Sequence, residues 1–414
     1  MKLHRLSNNL IIIDIGGSTL NIGIFTDTYF PQVSGVATSI QTLKTGLEKQ
    51  GHSVFIFTTT DPHMDKSNVE PNIFRFQSVP FVSFTDRRIA IRGLFHATQV
   101  ARELNLDIVH TQTEFSMGLI GKYVAHSLKI PCVHTFHTMY EDYLHYVLNG
   151  KLLKPVHVKQ FARAFMHNDD GVVAPSLLVK RTLERYGIKA PITVIPTGVD
   201  ISRINENSKR DVRKELGLSE TIPVILTLSR IAAEKKIDHI LDVMPEILEL
   251  YPEVKFVIAG DGPDMDMLVD QVERLSLEDN VIFTGNVEHT DVGNYYRMAD
   301  LFVSASDTEA QGLTYVEAMA AGTKSVVFST DYTEDLFNDA EFGVTFTNKA
   351  EMLQKILDYL AAGPGKIDAE KLAAKLDSVS SDRFAQTMID NYENIIANYT
   401  IKEDEEQDIL DDQN

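Results

Sequence analysis

The sequence predicts an α/β chain built as two doubly wound, parallel-sheet domains that face a central cleft. Three observations carry this reading. Apolar, β-branched runs alternate with helix-period patterns along nearly the whole chain, and such alternation calls for parallel strands joined by right-handed helical crossovers. The series breaks once, over residues 195–212, where Pro196 and Gly198 interrupt the pattern and a polar stretch follows. At 414 residues the chain has room for two separate cores.

Taken in order, strands are expected at 21–26, 53–58, 107–111, 131–136, 171–174 and 192–195. After the break they resume at 223–229, 254–259, 280–284, 300–303 and 324–328. Helical patterns fill the gaps, for example at 36–50 and 236–249. A last helical pattern, 380–398, fits against either domain. The expected division is residues 20–198 for the first domain and 199–398 for the second. Residues 1–19 read as an extension, or as a start assigned too far upstream. Residues 399–414 form an acidic tail with little to bury, expected to be disordered. In such folds ligands bind beyond the carboxyl ends of the strands, so the chemistry is expected in the cleft.

The net charge of −20 is unevenly spread. Residues 21–200 carry 18 basic and 15 acidic side chains, whereas 201–414 carry 19 basic and 43 acidic. The acidic second half argues against nucleic acid as a partner. The single cysteine, Cys132, rules out a disulfide within the chain and fits a reducing cytoplasm. No apolar run approaches the roughly 18 residues needed to span a bilayer.

The second half holds the densest constellation. Residues 304–328 read "SASDTEAQGLTYVEAMAAGTKSVVF". A strand ends, a glycine-containing loop follows, and a helix begins near Leu313. Backbone N–H groups around Gly312, Leu313 and Thr314 then lie at a helix start, where unpaired donors and the positive end of the dipole favour a phosphate. Glu309 falls in the loop, where it can face a sugar. Glu317 falls on the helix and suits ribose hydroxyls. Taken alone, Glu317 is equally an acid on a solvated helix face. Upstream, "LTLSRIAAEKKIDHIL" ends a strand and opens a helix. Arg230 and Lys235 flank that turn and can grip a diphosphate, Arg by a fork of donors and Lys as a point charge.

Two nearby patterns are set aside. Asp264 and Asp266 form an Asp-x-Asp, but they stand at a helix start, where acids serve as caps and first-turn residues. Asp261-Gly262 reads as a turn.

In the first half, "FTDTYFPQVSGVATSI" follows the first strand. Gly35 permits close backbone approach, and a helix begins just after it, with Val36. "PCVHTFHTMYEDYLHY" contains His134, His137 and His145. The spacing lacks a zinc pattern, so no metal site is expected. His134 alternates inward on its strand. His137 sits at the strand's carboxyl end. Two further segments mix basic and apolar residues. One is "NGKLLKPVHVKQFARAFMHN", with Lys151, Lys154, Lys159 and Arg163. The other is "FTDRRIAIRGLF", with Arg87, Arg88 and Arg92. Either alone reads as an ordinary amphipathic surface helix. Both, on a domain of net +3, point to an anionic membrane surface.

From Asn21 to about residue 398 the chain resembles family 4 of the retaining glycosyltransferases. "TEAQGLTYVEAMAAG" resembles that family's Glu-x7-Glu motif, and "SR-x4-K" its diphosphate clamp. "FVIAGDGPDMDML" and "VIFTGNVEHTDVGNYYRMADLFVSAS" stand where the family has them. "HTFHTMYEDY" and "TEAQGLTYVEAMAAGT" look most like the diacylglycerol glucosyltransferases of Gram-positive bacteria, although Ala310 and Lys324 replace the Thr or Pro that relatives often carry.

The resemblance implies a GT-B fold of two Rossmann-like domains and transfer of glucose from UDP-glucose to the 3-hydroxyl of 1,2-diacylglycerol, with retention. It implies Glu309 and His137 beside the donor sugar, and Arg230, Lys235, Glu317 and the Gly312–Thr314 helix start on the nucleotide. The backbone near Val287 would meet the base, and Gly35 and Val36 the acceptor side. No cofactor or divalent metal is implied for the departing UDP. The expected location is cytoplasmic, attached peripherally to the inner face of the membrane. UDP-galactose as donor, addition of a second sugar, another lipid acceptor, and a non-catalytic membrane-binding partner of the same fold stay open.

A competing cut exists at "DIGGST", residues 14–19, which resembles the first phosphate loop of sugar and acetate kinases. The rest of the kinase series is missing, so that match reads as coincidence. The segment "NIGIFTD" is the first strand of the first domain.

Overall fold

A computed structural model describes residues 19–32, 34–61, 71–81, 84–90, 93–139, 154–205, 210–288, 290–309, 311–363 and 367–400. Within these residues the chain forms two parallel sheets with helices on both faces. The first sheet contains β1 (Asn21–Phe25), β2 (Ser53–Thr59) and β3 (Ile73–Phe76). A short antiparallel hairpin follows, of β4 (Ser78–Phe81) and β5 (Phe84–Ala90). The sheet continues with β6 (Ile108–Thr111), β7 (Cys132–Thr135), β8 (Gly171–Ala174) and β9 (Ile192–Val194). Its order is β3-β2-β1-β6-β7-β8-β9.

The second sheet holds β10 (Val224–Leu228), β11 (Lys255–Ala259), β12 (Val281–Gly285), β13 (Leu301–Ser304), β14 (Lys324–Phe328) and β15 (Gly343–Phe346). Its order is β12-β11-β10-β13-β14-β15. In both sheets the strand order reverses beside the strand that comes first in sequence, β1 or β10. At such a switch point the flanking loops diverge and leave a crevice.

All eleven expected strands form; nine are central, nearly all of them buried on both faces and almost continuously apolar, while β9 and β12 lie at sheet edges. β3, β4, β5 and β15 lie outside the expected strands. β3 and β15 are edge strands of four residues each. The segment 84–95 differs from the amphipathic-helix reading. Residues 84–90 pair with β4, with Pro80 opposite Arg88, and a helix, Leu94–Glu103, begins only afterwards.

Side chains cap several helices as their sequences suggest. Ser34, Ser176, Asn348, Asp368 and Ser380 each accept from a backbone N–H in the first turn. The helix Ser116–Leu128 has no local cap. Asp27, at the end of β1, does that work from a distance. Its carboxylate accepts from Met117 N at 3.0 Å and from the hydroxyls of Thr113, at 2.7 Å, and Ser116. Burial raises the Asp27 carboxyl, and these donors pull it back.

The last helix, Ser381–Asn398, lies against the first domain rather than the second. Phe384, Met388, Ile389 and Tyr392 join the core formed by Ile22, Ile24, Ile40 and Leu43. Each large apolar side chain buried there contributes roughly 1.5–3 kcal/mol. The chain crosses between the domains at 195–199 and again near 380, where Val199 and Ser380 form a parallel bridge. Gly198 is required at this crossing, because a Cβ there would sit 2.4 Å from the Ser380 carbonyl oxygen.

Candidate active site

The two domains enclose a cleft of about 1020 Å³. Its first-domain wall includes Ser34, Gly35, Val36, His137 and Thr138. Its second-domain wall includes Arg230, Lys235, Gly260, Val287, Glu309, Gly312, Leu313, Thr314 and Glu317. All the residues predicted for the donor, the sugar and the acceptor-side glycine loop therefore line one hollow.

Each arrives there on the loop after a strand or on the helix that follows it. β10 delivers Arg230, and a 3-10 turn, Ala233–Lys235, delivers Lys235. Arg230 is exposed in the cleft. Lys235 pairs with Glu309 and Lys236 with Asp307, so two ion pairs tie the β10 loop to the β13 loop. The β11 loop comes close behind. Gly260 has φ +142°, and a Cβ there would lie 1.9 Å from the Ser229 carbonyl oxygen, so only glycine fits.

The β13 loop turns into the helix Leu313–Ala320 through Gly312, which has φ +68° and offers no side-chain cap. The helix's first backbone donors are left facing the cleft beside Arg230 and Lys235. Arg230, Lys235 and this helix start thus line the same cleft, an arrangement suited to a diphosphate.

Glu317 sits deeper and is 6% exposed, which rules out a solvated helix face. The Tyr296 hydroxyl donates to it at 3.0 Å, and Arg203 Nη2 lies 3.7 Å away. Burial pushes the Glu317 carboxyl up, while Arg203 and Tyr296 pull it down. Burial raises the Tyr296 phenol as well, with the Glu317 charge adding to the effect.

On the facing wall, the helix Gly35–Lys49 starts at Ser34, whose hydroxyl accepts from Ala37 N at 3.1 Å. A Cβ on Gly35 would meet nothing within 4 Å, so this turn borders open cleft. His137 follows β7, and its Nε2 lies 2.5 Å from Gln112 Oε1. Burial lowers its imidazole to about 4. It is therefore neutral at physiological pH and acts as a hydrogen-bonding group. His134 is fully buried, held by the Thr111 hydroxyl at 2.8 Å and Glu114 at 3.2 Å, and takes no part in the cleft lining.

Residues that motif reading did not single out complete the site. Gln311 spans the domains. Its amide nitrogen donates to Thr197 O at 2.6 Å, and its oxygen accepts from Thr197 N at 2.7 Å. The Thr197 hydroxyl meets the Ser39 hydroxyl at 3.0 Å. The loop carrying Glu309 is thereby pinned to the interdomain crossing and to the Gly35 helix. The only hint in the sequence is the glutamine beside Gly312 within the recognised string. Arg203 and Tyr296, which hold Glu317, carry no local signal.

The basic segments are placed unevenly. Lys154 and Arg163 are exposed and Lys159 is half-buried, on or beside the helix Pro155–Phe165. Arg88 departs from the surface reading. Its guanidinium grips Ser78 across the hairpin, through Nε to Oγ and Nη2 to O, both at 2.8 Å. Of Arg87 only the backbone, in β5, is described, and Arg92 and Lys151 lie outside the described residues. So do His145 and Ala310. Asp264 immediately precedes the helix Met265–Leu275, which also carries Asp266 in its first turn. Among the described residues no group of three His, Cys, Asp or Glu side chains is arranged to hold a metal ion.

Comparison with known proteins agrees with this layout. Residues 33–203 match the model of Glycosyltransferase Family 4, and 208–376 that of Glycosyl transferases group 1. The chain is 43% identical over 390 residues to the alpha-monoglucosyldiacylglycerol synthase of Streptococcus pneumoniae, covering 93% of this chain and 88% of that one. It is 34% identical over 359 residues to the synthase of the same name from Acholeplasma laidlawii, covering 83% and 89%. Its fold superposes on sucrose-phosphate synthase from Thermosynechococcus elongatus with a TM-score of 0.74, at 20% identity over 91% of this chain and 99% of that one. The architecture is thus GT-B, two Rossmann-like domains across a cleft, and the chain belongs to glycosyltransferase family 4.

Proposed function

We propose that this glycosyltransferase moves glucose from UDP-glucose to the 3-hydroxyl of 1,2-diacylglycerol, with retention, and so makes α-monoglucosyldiacylglycerol. The observation that carries the reading is the single cleft, where a diphosphate-binding wall from one domain faces a glycine turn and His137 from the other. The names of the relatives at 43% and 34% identity supply the acceptor.

In this reading Arg230, Lys235 and the Gly312–Thr314 helix start stabilise the charge that grows on departing UDP. Glu317, steadied by Tyr296 and Arg203, accepts from ribose hydroxyls. The base lies along the backbone near Val287. Glu309 orients the glucose, and neutral His137 meets one of its hydroxyls. The lipid hydroxyl attacks from the face that UDP leaves. No divalent cation or other cofactor is assigned a role.

A membrane surface fits the first domain. Leu119 and Tyr123 are four residues apart and both exposed, and Phe95, Val156 and Phe161 are exposed on neighbouring helices. Phe161 reaches the ring of Phe115 at 6.2 Å, which links the helices Pro155–Phe165 and Ser116–Leu128. Lys154, Lys159 and Arg163 border these apolar groups, the pattern of a face that lies on anionic lipid. No helix among the described residues is long and apolar enough to cross a membrane. Attachment is accordingly proposed as peripheral, on the cytoplasmic face, where UDP-sugars are made.

The test is incubation with labelled UDP-glucose, or UDP-galactose, and vesicles containing either diacylglycerol or monoglucosyldiacylglycerol. Preferred transfer of glucose to diacylglycerol is the expected result. Preference for galactose, or for the already glucosylated lipid, would overturn the assignment.

A further inference from the structure

Behind His137 runs a buried chain of hydrogen bonds that none of the recognised motifs accounts for. Gln112, just beyond the end of β6, is 3% exposed and does not line the cleft. Its Oε1 can only accept, so His137 Nε2 carries a proton and donates to it at 2.5 Å. Its Nε2 can only donate, so His110 Nε2, 3.0 Å away, is an acceptor. Neutral His110 then carries its proton on Nδ1 and donates to the Tyr392 hydroxyl oxygen at 2.6 Å. The Thr135 hydroxyl, 2.7 Å from His110 Nε2, shares that nitrogen's one lone pair with the Gln112 amide. With the Gln112 amide in this orientation, every link keeps one polarity.

We propose that Gln112, His110 and Tyr392 are positioning residues that fix the tautomer and ring orientation of His137, and that Tyr392 thereby makes the last helix part of the sugar site. With Nε2–H committed to Gln112, Nδ1 is the ring's acceptor for a hydroxyl of the transferred sugar. The chain stays neutral throughout. The charged and titratable groups around it are Glu114 beyond β6 and His134 on β7, and these hold each other at 3.2 Å. Burial keeps both His110 and His137 below the ordinary imidazole range. A relay of neutral groups transmits orientation without moving a proton. Tyr392 is fully buried and reaches His110 across 282 residues of sequence, so the last helix is joined to the chain behind the site.

This inference rests on the reading of His137 as the group that meets the sugar, and the experiment separates the two. Transfer kinetics would be measured on the full chain for Gln112→Leu, Tyr392→Phe and His137→Ala, and for each of the first two combined with His137→Ala. Histidine-labelled protein would report the tautomers by long-range ¹H–¹⁵N spectra. Gln112→Leu is expected to lower kcat about tenfold, and Tyr392→Phe about threefold, with KM for UDP-glucose within about twofold of wild type. Combined with His137→Ala, each should add less than about twofold. In the spectra, His137 of the wild type should be the Nε2–H tautomer, and Gln112→Leu should lose that single form. Equal costs with and without His137 would overturn the positioning chain alone. Wild-type transfer by His137→Ala would overturn the role of His137 and the chain with it. Tyr392→Phe removes only a hydroxyl, so it decides the matter even where Gln112→Leu folds poorly.

Discussion

Lys235 and Glu309, 74 residues apart in sequence, form an ion pair across the donor wall of the cleft. One is assigned to the diphosphate and the other to the glucose. The pair is one-fifth exposed on each side, so each charge is partly desolvated and poised to exchange its partner for a ligand. Removing Glu309 should therefore affect chemistry far more than nucleotide binding.

Glu309→Gln should release Lys235 for the diphosphate. UDP affinity is expected to stay within about threefold of wild type or to tighten, while kcat falls by roughly 10²-fold, because the sugar loses its orienting carboxylate. Calorimetry with UDP and a transfer assay measure the two quantities. A loss of UDP affinity matching the loss of kcat would contradict the division of labour.

Glu317→Gln tests the nucleotide side. The amide keeps the shape but weakens the links to Tyr296 and Arg203, and it offers the ribose a poorer acceptor. UDP affinity should fall about tenfold, with the kcat at saturating donor changed much less. An unchanged dissociation constant would remove Glu317 from the ribose.

The pH dependence follows from His137, held at about 4 by burial. Its value is lowered relative to 6.5, so it contributes stability that is complete above about pH 6.5 and is lost as pH falls toward 4. Between pH 5 and 8 the imidazole is neutral, and the kcat profile should show no ionisation assignable to it. Histidine NMR titration checks this directly. A His137 resonance titrating near 6.5 would contradict the partly buried, Gln112-bound state.

Membrane attachment is tested by Lys154→Ser, Lys159→Ser and Arg163→Ser together. At about 1 kcal/mol for each basic residue near anionic lipid, the triple variant should bind anionic vesicles roughly 100-fold more weakly, with little change on neutral ones. Arg88→Ser should have a smaller effect on binding and a larger one on stability, because Arg88 holds the β4–β5 hairpin through Ser78. Sedimentation with vesicles and thermal unfolding separate these effects. Unchanged sedimentation of the triple variant would sink the surface assignment.

How much of this was legible in the sequence depended on how local each signal is. Central strands such as Val224–Leu228 announce themselves, because burial on both faces demands an unbroken apolar run. The Arg230–Lys235 and Glu309–Glu317 spacings are local, and so the cleft wall could be assembled on paper. Gly343–Phe346 mixes glycine and threonine with its apolar residues, and so shows neither an apolar run nor a period. The segment at Arg88 misleads because alternating basic and apolar residues fit a hairpin as well as an amphipathic helix. Gln311, Arg203 and Tyr392 escape detection for another reason: their partners lie far away in the chain, 114 residues for Gln311 and 282 for Tyr392. No window of sequence contains both ends of such a bond.

The central claim is that Arg230, Lys235 and the helix start at Gly312 together neutralise a nucleotide diphosphate while glucose passes to a lipid hydroxyl. The direct measurement compares wild type with Arg230→Ala, using radiolabelled UDP-glucose and diacylglycerol vesicles, with products separated by thin-layer chromatography. The account predicts one α-linked monoglucosyl lipid from the wild type and at least a roughly 10²-fold slower appearance of it from the variant. Equal rates from the two proteins, or no labelled lipid from the wild type, would contradict it.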